Sequence, residues 1–375
     1  MSENLILNKI LNFWRNVDKE ILIIFLILFG LGIFFSFSST SLLAGERLNK
    51  DYYYYFSRHL SFAIISIMLM LFIASINTYV FKKLLFPLFF LSIVTLFLVF
   101  FIGIEVKGSK RWLDLIFFRF QPIEVVKPFF IITVARVLAN NDPFSKLNYF
   151  YRFIILLIPS LMLLNQPDVG QTILLIISWG ALVFVSGIKM LYIFLLGLLL
   201  IFFVGLLFFI FPSKFSYIFK RIELFFDPSK GERFQSNVAL DAIREGGLTG
   251  QGMGEGTLKD NVPEAHTDYI ISVISEEFGS ITSILLISLF LYLAFKVIKV
   301  SLTHQDKFIK ITLCGLSSLL IFQTFIHVAV NTSLLPTTGM TLPFLSYGGS
   351  SLIGSSILAG AILNFTKKNF YEKYE

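Results

Sequence analysis

The stretch Pro263-Glu264-Ala265-His266-Thr267-Asp268 places two carboxylates and an imidazole where a polar loop gives way to an apolar run. A carboxylate at such a boundary is partly desolvated, which raises its pKa and prepares it as a general base. Helix capping uses the same residues, since Thr267 or Asp268 could cap a helix beginning near 269 and favour its dipole. No second His lies near and Cys is absent there, so zinc is not expected. Glu276-Glu277 follows about two turns further on.

Other polar groups also sit within apolar sequence. Lys107-Gly108-Ser109-Lys110-Arg111-Trp112 precedes Gln121-Pro122-Ile123-Glu124-Val125-Val126-Lys127. Pro122 suits a first helical turn, which makes Glu124 and Lys127 i,i+3 neighbours on one face. They read either as a buried ion pair beneath an interfacial Trp belt, or with Lys107, Lys110 and Arg111 as an anion clamp suited to phosphate. Gln323, His327 and Asn331 are spaced i, i+4, i+8, a polar stripe facing a bundle interior. Helix–helix hydrogen bonding and the lining of a substrate groove both fit it. The glycine-rich run 246–254 lacks the Gly-Lys-Ser/Thr and preceding strand of a phosphate loop, so it reads as flexible or closely approached backbone.

The elements that must position these residues are apolar helices. The chain is 56% hydrophobic and only 15% charged, with mean hydropathy +0.79. Windows of about 18 or more apolar residues recur, enough to cross a bilayer core of roughly 30 Å. The expected fold is all-α, a polytopic integral membrane protein of about ten transmembrane helices. Spans are expected near 20–40, 59–78, 83–103, 122–139, 151–165, 169–187, 190–212, 269–298, 308–331 and 345–365. Gln166-Pro167-Asp168 marks either a tight turn between two spans or a break in one helix.

One domain covers 1–375, with a cytoplasmic amino terminus at 1–19, a large extracytoplasmic loop at 213–268 between the seventh and eighth helices, and a cytoplasmic carboxyl terminus at 366–375. The orientation rests on Lys9, Arg15, Lys19, Lys82, Lys83, Lys296, Lys299, Lys367 and Lys368, because short flanks and not long loops set topology. Residues 1–19 lack the cleavage pattern of a signal peptide, so the first span is expected to stay as an anchor. Cys314 is the single cysteine, which excludes an intrachain disulfide. The net charge of +7 suits anionic lipid and not nucleic acid, for no basic soluble domain is present to hold a duplex.

Several motifs occur in order along nearly the whole chain: Lys110-Arg111-Trp112, Gln121-Pro122-x-Glu124-x-x-Lys127, Gln166-Pro167-Asp168-x-Gly170, Gln235-Ser236, Pro263 to Asp268, Glu276-Glu277-x-Gly279, and Leu335-Pro336-Thr337-Thr338-Gly339-Met340 running on to Ser350-Ser351. In this register the chain resembles the SEDS family (shape, elongation, division and sporulation), and its cell-division branch more than its elongation branch. It departs from the pattern at Ile123, where many members have Ser, and at Arg244-Glu245, which replaces a small pair.

The resemblance implies a peptidoglycan glycosyltransferase. It would polymerise lipid II at the outer face of the bacterial inner membrane, at the division septum. Its partners would be a class B penicillin-binding transpeptidase and other divisome membrane proteins. Asp268 is carried over as the catalytic residue. Lys110, Arg111, Glu124, Lys127, Glu264 and His266 would form the substrate site. No metal-ligand set is assigned, although a divalent cation, Mg or Mn, could assist the leaving pyrophosphate. A lipid flippase and a non-catalytic division scaffold are the rival readings.

Overall fold

The computed structural model describes residues 11–39, 53–106, 109–116, 118–139, 146–188, 234–262 and 264–368, with isolated positions between 191 and 223. The helices are α1 (Lys19–Ser39), α2 (Tyr54–Ser75), α3 (Thr78–Ile102), α4 (Pro122–Ala139), α5 (Lys146–Asn165), α6 (Val169–Val185), α7 (Phe234–Gly246), α8 (Ile270–Thr303), α9 (Lys307–Asn331) and α10 (Gly349–Phe365). A helix therefore stands at each expected span that the described residues cover. Most of 190–212 lies outside the described residues, as does Lys107.

By length and composition α1, α2, α3, α8 and α9 can each cross a membrane. α6 and α10 are shorter apolar helices. α4 carries Glu124, Lys127 and Arg136 but is buried along most of its length. α4, α9 and α10 form the centre of the bundle. Outer helices turn apolar side chains away from it, among them Phe72, Phe90, Phe101 and Leu285, as lipid-facing surfaces require. Small residues bring the central helices together. A Cβ at Gly354 of α10 would sit 2.4 Å from the Glu124 carbonyl oxygen of α4, so only glycine allows that approach.

Two features depart from expectation, the sheet and the break in α8, and one open alternative is decided. Between α3 and α4 the chain forms a small antiparallel sheet of β1 (Ile104–Val106), β2 (Ser109–Asp114) and β3 (Arg119–Phe120). Glu105 lies opposite Lys110 across β1 and β2, and the register shifts between Ile104 and Glu105. The Gln166-Pro167-Asp168 stretch is a turn between two separate helices, with Asp168 capping α6. The eighth span is not continuous: Gly279 has φ 83 and ψ 165, which splits α8 into a buried first segment and a longer apolar one.

Candidate active site

The residues 264–268 pack against the segment between α9 and α10. Three consecutive backbone carbonyls are gripped. His266 O accepts from Tyr347 N at 2.9 Å, Thr267 O from Ser346 Oγ at 2.6 Å, and Asp268 O from Asn331 Nδ2 at 3.0 Å. Asp268 N donates to Glu264 O at 3.1 Å, closing a turn in which Glu264 takes a φ of 59. Neither Thr267 nor Asp268 caps α8, whose N-cap is Tyr269 with no side-chain cap bond. Thr267 Oγ1 instead bonds the Glu264 carboxylate at 3.1 Å. The Asp268 carboxylate faces Gly339, where even an added Cβ would stand 3.7 Å from Oδ2. Gly339 has φ 70, which favours glycine and leaves room beside that carboxylate.

The polar stripe on α9 positions this segment. Asn331 accepts from Ser272 Oγ at 2.9 Å, His327 Nδ1 bonds Met340 O at 2.8 Å, and Gln323 Nε2 donates to Thr341 O at 3.0 Å. The stripe thus bonds chiefly to loop backbone at the site. Beneath it Lys127 Nζ lies 2.8 Å from Glu124 Oε2 and 3.1 Å from Gln323 Oε1, while Gln171 Nε2 donates to Glu124 Oε1 at 3.1 Å. Glu124 and Lys127 are both buried, so they support the wall as a hydrogen-bonded ion pair.

Arg111 reaches from β2 to the α5–α6 turn. Its Nε donates to Gln166 O at 3.0 Å, its Nη2 to Pro167 O, and Nη1 stands 3.6 Å from Asp168 Oδ2. Burial pushes the Asp168 carboxyl above the usual carboxylate range, and the Arg111 charge pulls it back. Lys110 is exposed on β2 and lines a cavity of about 250 Å³ with Glu105, Asn165, Gln166 and Pro167. Arg111 and Asp168 meet; Glu124 and Lys127 meet; Glu264 and His266 flank Asp268.

The sequence reading anticipated α2 as a span but missed its place beside the site. Tyr55, His266 and Tyr347 form an aromatic triangle with centroids 5.1 to 5.5 Å apart. His59 stacks on Tyr347 at 6.2 Å and is buried, with no hydrogen-bond partner for either ring nitrogen among the described residues. The signal was present, because Arg58-His59 interrupts the start of an apolar span, where ionisable residues are expensive.

Among the described residues no three His, Cys, Asp or Glu side chains come together as a metal set.

Comparison with known proteins follows the same architecture. The FtsW/RodA/SpoVE family model, described as cell cycle protein, matches residues 19–371. The chain belongs to this family, the SEDS proteins. A probable peptidoglycan glycosyltransferase FtsW of Caulobacter vibrioides is 34% identical over 95% of this chain and 90% of its own. One of Haemophilus influenzae is 33% identical over 94% and 91%. The fold is shared with a chain of a peptidoglycan synthase complex that coordinates polymerization and crosslinking, at TM-score 0.76, 24% identity and coverage of 93% and 97%. The rod shape determining protein RodA of Thermus thermophilus superposes at TM-score 0.69 with 23% identity, covering 93% of this chain and 96% of its own. This SEDS chain is an integral membrane protein of the bacterial inner membrane, and its motif register places it with the division-type relatives.

Proposed function

We propose that this SEDS protein polymerises lipid II into glycan strands at the outer face of the inner membrane, for septal wall synthesis. The FtsW relatives, named as probable peptidoglycan glycosyltransferases, support the activity. The observation that carries the site is the grip on three consecutive carbonyls, which holds Asp268 rigidly with its carboxylate beside the space at Gly339. Preorganisation of that kind is what a general base requires.

In this reading the Asp268 carboxylate takes the proton from the 4-hydroxyl of the acceptor's terminal sugar. The oxygen attacks the anomeric carbon of the growing chain, and the bond to the lipid pyrophosphate breaks, the pyrophosphate leaving with the electron pair. Lys110 and Arg111 face the anionic headgroup, with Arg111 held in place by its bonds to the α5–α6 turn. Glu264 and His266 border the acceptor, and Glu124 with Lys127 shapes the cavity wall. A divalent cation, Mg or Mn, would supply charge stabilisation to the leaving pyrophosphate. Both termini are cytoplasmic, the 213–268 loop is extracytoplasmic, and the partners are a class B penicillin-binding transpeptidase and other division proteins.

The test is polymerisation of purified lipid II by the detergent-solubilised protein with its transpeptidase, wild type beside Asp268→Asn. Long strands from wild type alone are expected, with expression and partner binding unchanged in the variant. Comparable strands from Asp268→Asn would overturn the catalytic assignment. No strands from either would favour a flippase or scaffold, which a transbilayer movement assay separates.

A further inference from the structure

The buried pair on α4 stands one step away from the site, and a single side chain joins the two. Glu124 and Lys127 are 4% and 2% exposed, so their charges are turned into the bundle. Lys127 Nζ donates to Glu124 Oε2 at 2.8 Å and to Gln323 Oε1 of α9 at 3.1 Å. From its other end Gln323 Nε2 donates to Thr341 O at 3.0 Å.

A carboxamide suits that place by its chemistry. An ammonium only donates and a backbone carbonyl only accepts, so a group between them needs an acceptor at one end and a donor at the other. A carboxylate lacks the donor, and an alkyl side chain lacks both. Because Lys127 holds the oxygen end, the nitrogen end of Gln323 is left facing Thr341.

What Gln323 holds borders the reacting space. Met340 O and Thr341 O are the two carbonyls that follow Gly339, and His327 Nδ1 and Gln323 Nε2 take one each. Thr341 Oγ1 also bonds Ser351 Oγ of α10 at 2.7 Å. Thr338 packs on the first turn of α6, where a Cβ added to Gly170 would stand 2.8 Å from the Thr338 Cβ. Gly339 therefore lies in a short segment held against α6, α9 and α10, facing the Asp268 carboxylate. Asn331, eight residues or about 12 Å along the same face of α9, grips Asp268 O. One helix face thus sets both walls of the gap, Asp268 through Asn331 and Gly339 through His327 and Gln323.

We propose that Gln323 is a positioning residue for glycan synthesis, and that the Glu124–Lys127 pair acts on the reaction through it. The inference rests on Asp268 as the base. With the pair in place, the Gln323 amide keeps the Thr341 carbonyl, and with it Gly339, at a fixed distance from the Asp268 carboxylate. The acceptor hydroxyl enters that gap in the proposed reaction, so its width governs the attack more than the binding of the lipid.

The test uses the full chain with its transpeptidase, purified lipid II, and three variants: Gln323→Met, the pair variant Glu124→Gln/Lys127→Met, and both combined. Removing the two charges together leaves no uncompensated ion in the bundle. In Gln323→Met kcat is expected to fall roughly tenfold with KM little changed. The pair variant is expected to fall by a similar factor, and the combined variant no further. Effects that multiply in the combined variant, a pair variant that loses in KM, or an unchanged kcat in Gln323→Met would overturn the proposal. Hydrogen exchange of the segment 338–346 in the resting protein reads the same coupling without turnover. Faster exchange is expected in each variant with no further rise on combination, and wild-type exchange in Gln323→Met would overturn the coupling. Strands absent from wild type as well would count against the proposed function instead, and the exchange then decides whether Gln323 joins the pair to the loop.

Discussion

Asn331 is the residue on which the Asp268 geometry turns. Its Nδ2 donates to Asp268 O and, at 2.8 Å, to His327 O, while its Oδ1 accepts from Ser272 Oγ. Every strong position on that amide is used. Asn331→Leu keeps the volume but removes the hydrogen bond to the Asp268 carbonyl, so the carboxylate loses one of its three backbone anchors. Because small displacements of a reacting group are costly, kcat for glycan synthesis is expected to fall on the order of 10²-fold with KM little changed. A loss confined to KM, with kcat intact, would remove Asn331 from the positioning of Asp268. The sequence revealed that Gln323, His327 and Asn331 share a helix face, because helical spacing is local. It did not reveal that their partners are the carbonyls of Asp268, Met340 and Thr341, because those contacts depend on how distant segments cross. Glu124 and Lys127 were legible for the same local reason, as i,i+3 neighbours.

The α7–α8 connection shows how a broken helix is made stable. At Gly279 the helical ladder fails, which would orphan backbone groups inside the bundle. The glycine-rich loop takes their place: Gln251 N donates to Glu276 O at 2.9 Å and Gly252 N to Glu277 O at 3.0 Å, while Ser280 N donates to Gly247 O at 3.0 Å. The Glu276 carboxylate accepts from Leu258 N at 2.7 Å and from Lys259 N at 2.8 Å, and Glu277 pairs with Lys259. Gly250 and Gly279 face each other so closely that a Cβ on Gly279 would meet Leu248 O at 2.1 Å. The glycines therefore serve close approach of backbones. Gly279→Ala combines that clash with an unfavourable φ, a cost of at least about 1–3 kcal/mol. Limited proteolysis is expected to cut the variant within 246–262 much faster than wild type, and equal cutting would show that the loop does not depend on this docking. The run of glycines was readable as backbone that needs glycine. The break in α8 was not, since Gly279 sits within an apolar run that reads as one continuous span. The Arg244-Glu245 departure is harmless to the docking, because Arg244 is exposed and pairs with Asp241 on its own helix.

At the scale of the molecule, short-flank lysines come together at one end of the bundle, and this bears on which end faces the cytoplasm. Lys367 Nζ donates to Ile76 O at 2.8 Å, Lys368 N to Asn16 O at 2.9 Å, Lys82 pairs with Asp306, and Lys296 pairs with Glu20. These contacts gather four short-flank lysines from three separate chain segments at the end opposite Asp268. In the sequence the positives of the 213–268 loop nearly offset such flank lysines; the fold shows which flanks belong together. If those positive flanks are retained on the cytoplasmic side, Asp268 lies outside, as the proposed function requires. A labelling experiment decides the orientation, and the native thiol does not interfere, since Cys314 is buried within 3.2 Å of Ser301 Oγ. Met253→Cys lies on an exposed part of the loop, and Thr303→Cys on the exposed end of α8. A membrane-impermeant maleimide added to intact spheroplasts is expected to label Met253→Cys at once and Thr303→Cys only after permeabilisation. The reverse pattern would place the Asp268 carboxylate in the cytoplasm, and with it would fall the assignment of polymerisation to the outer face.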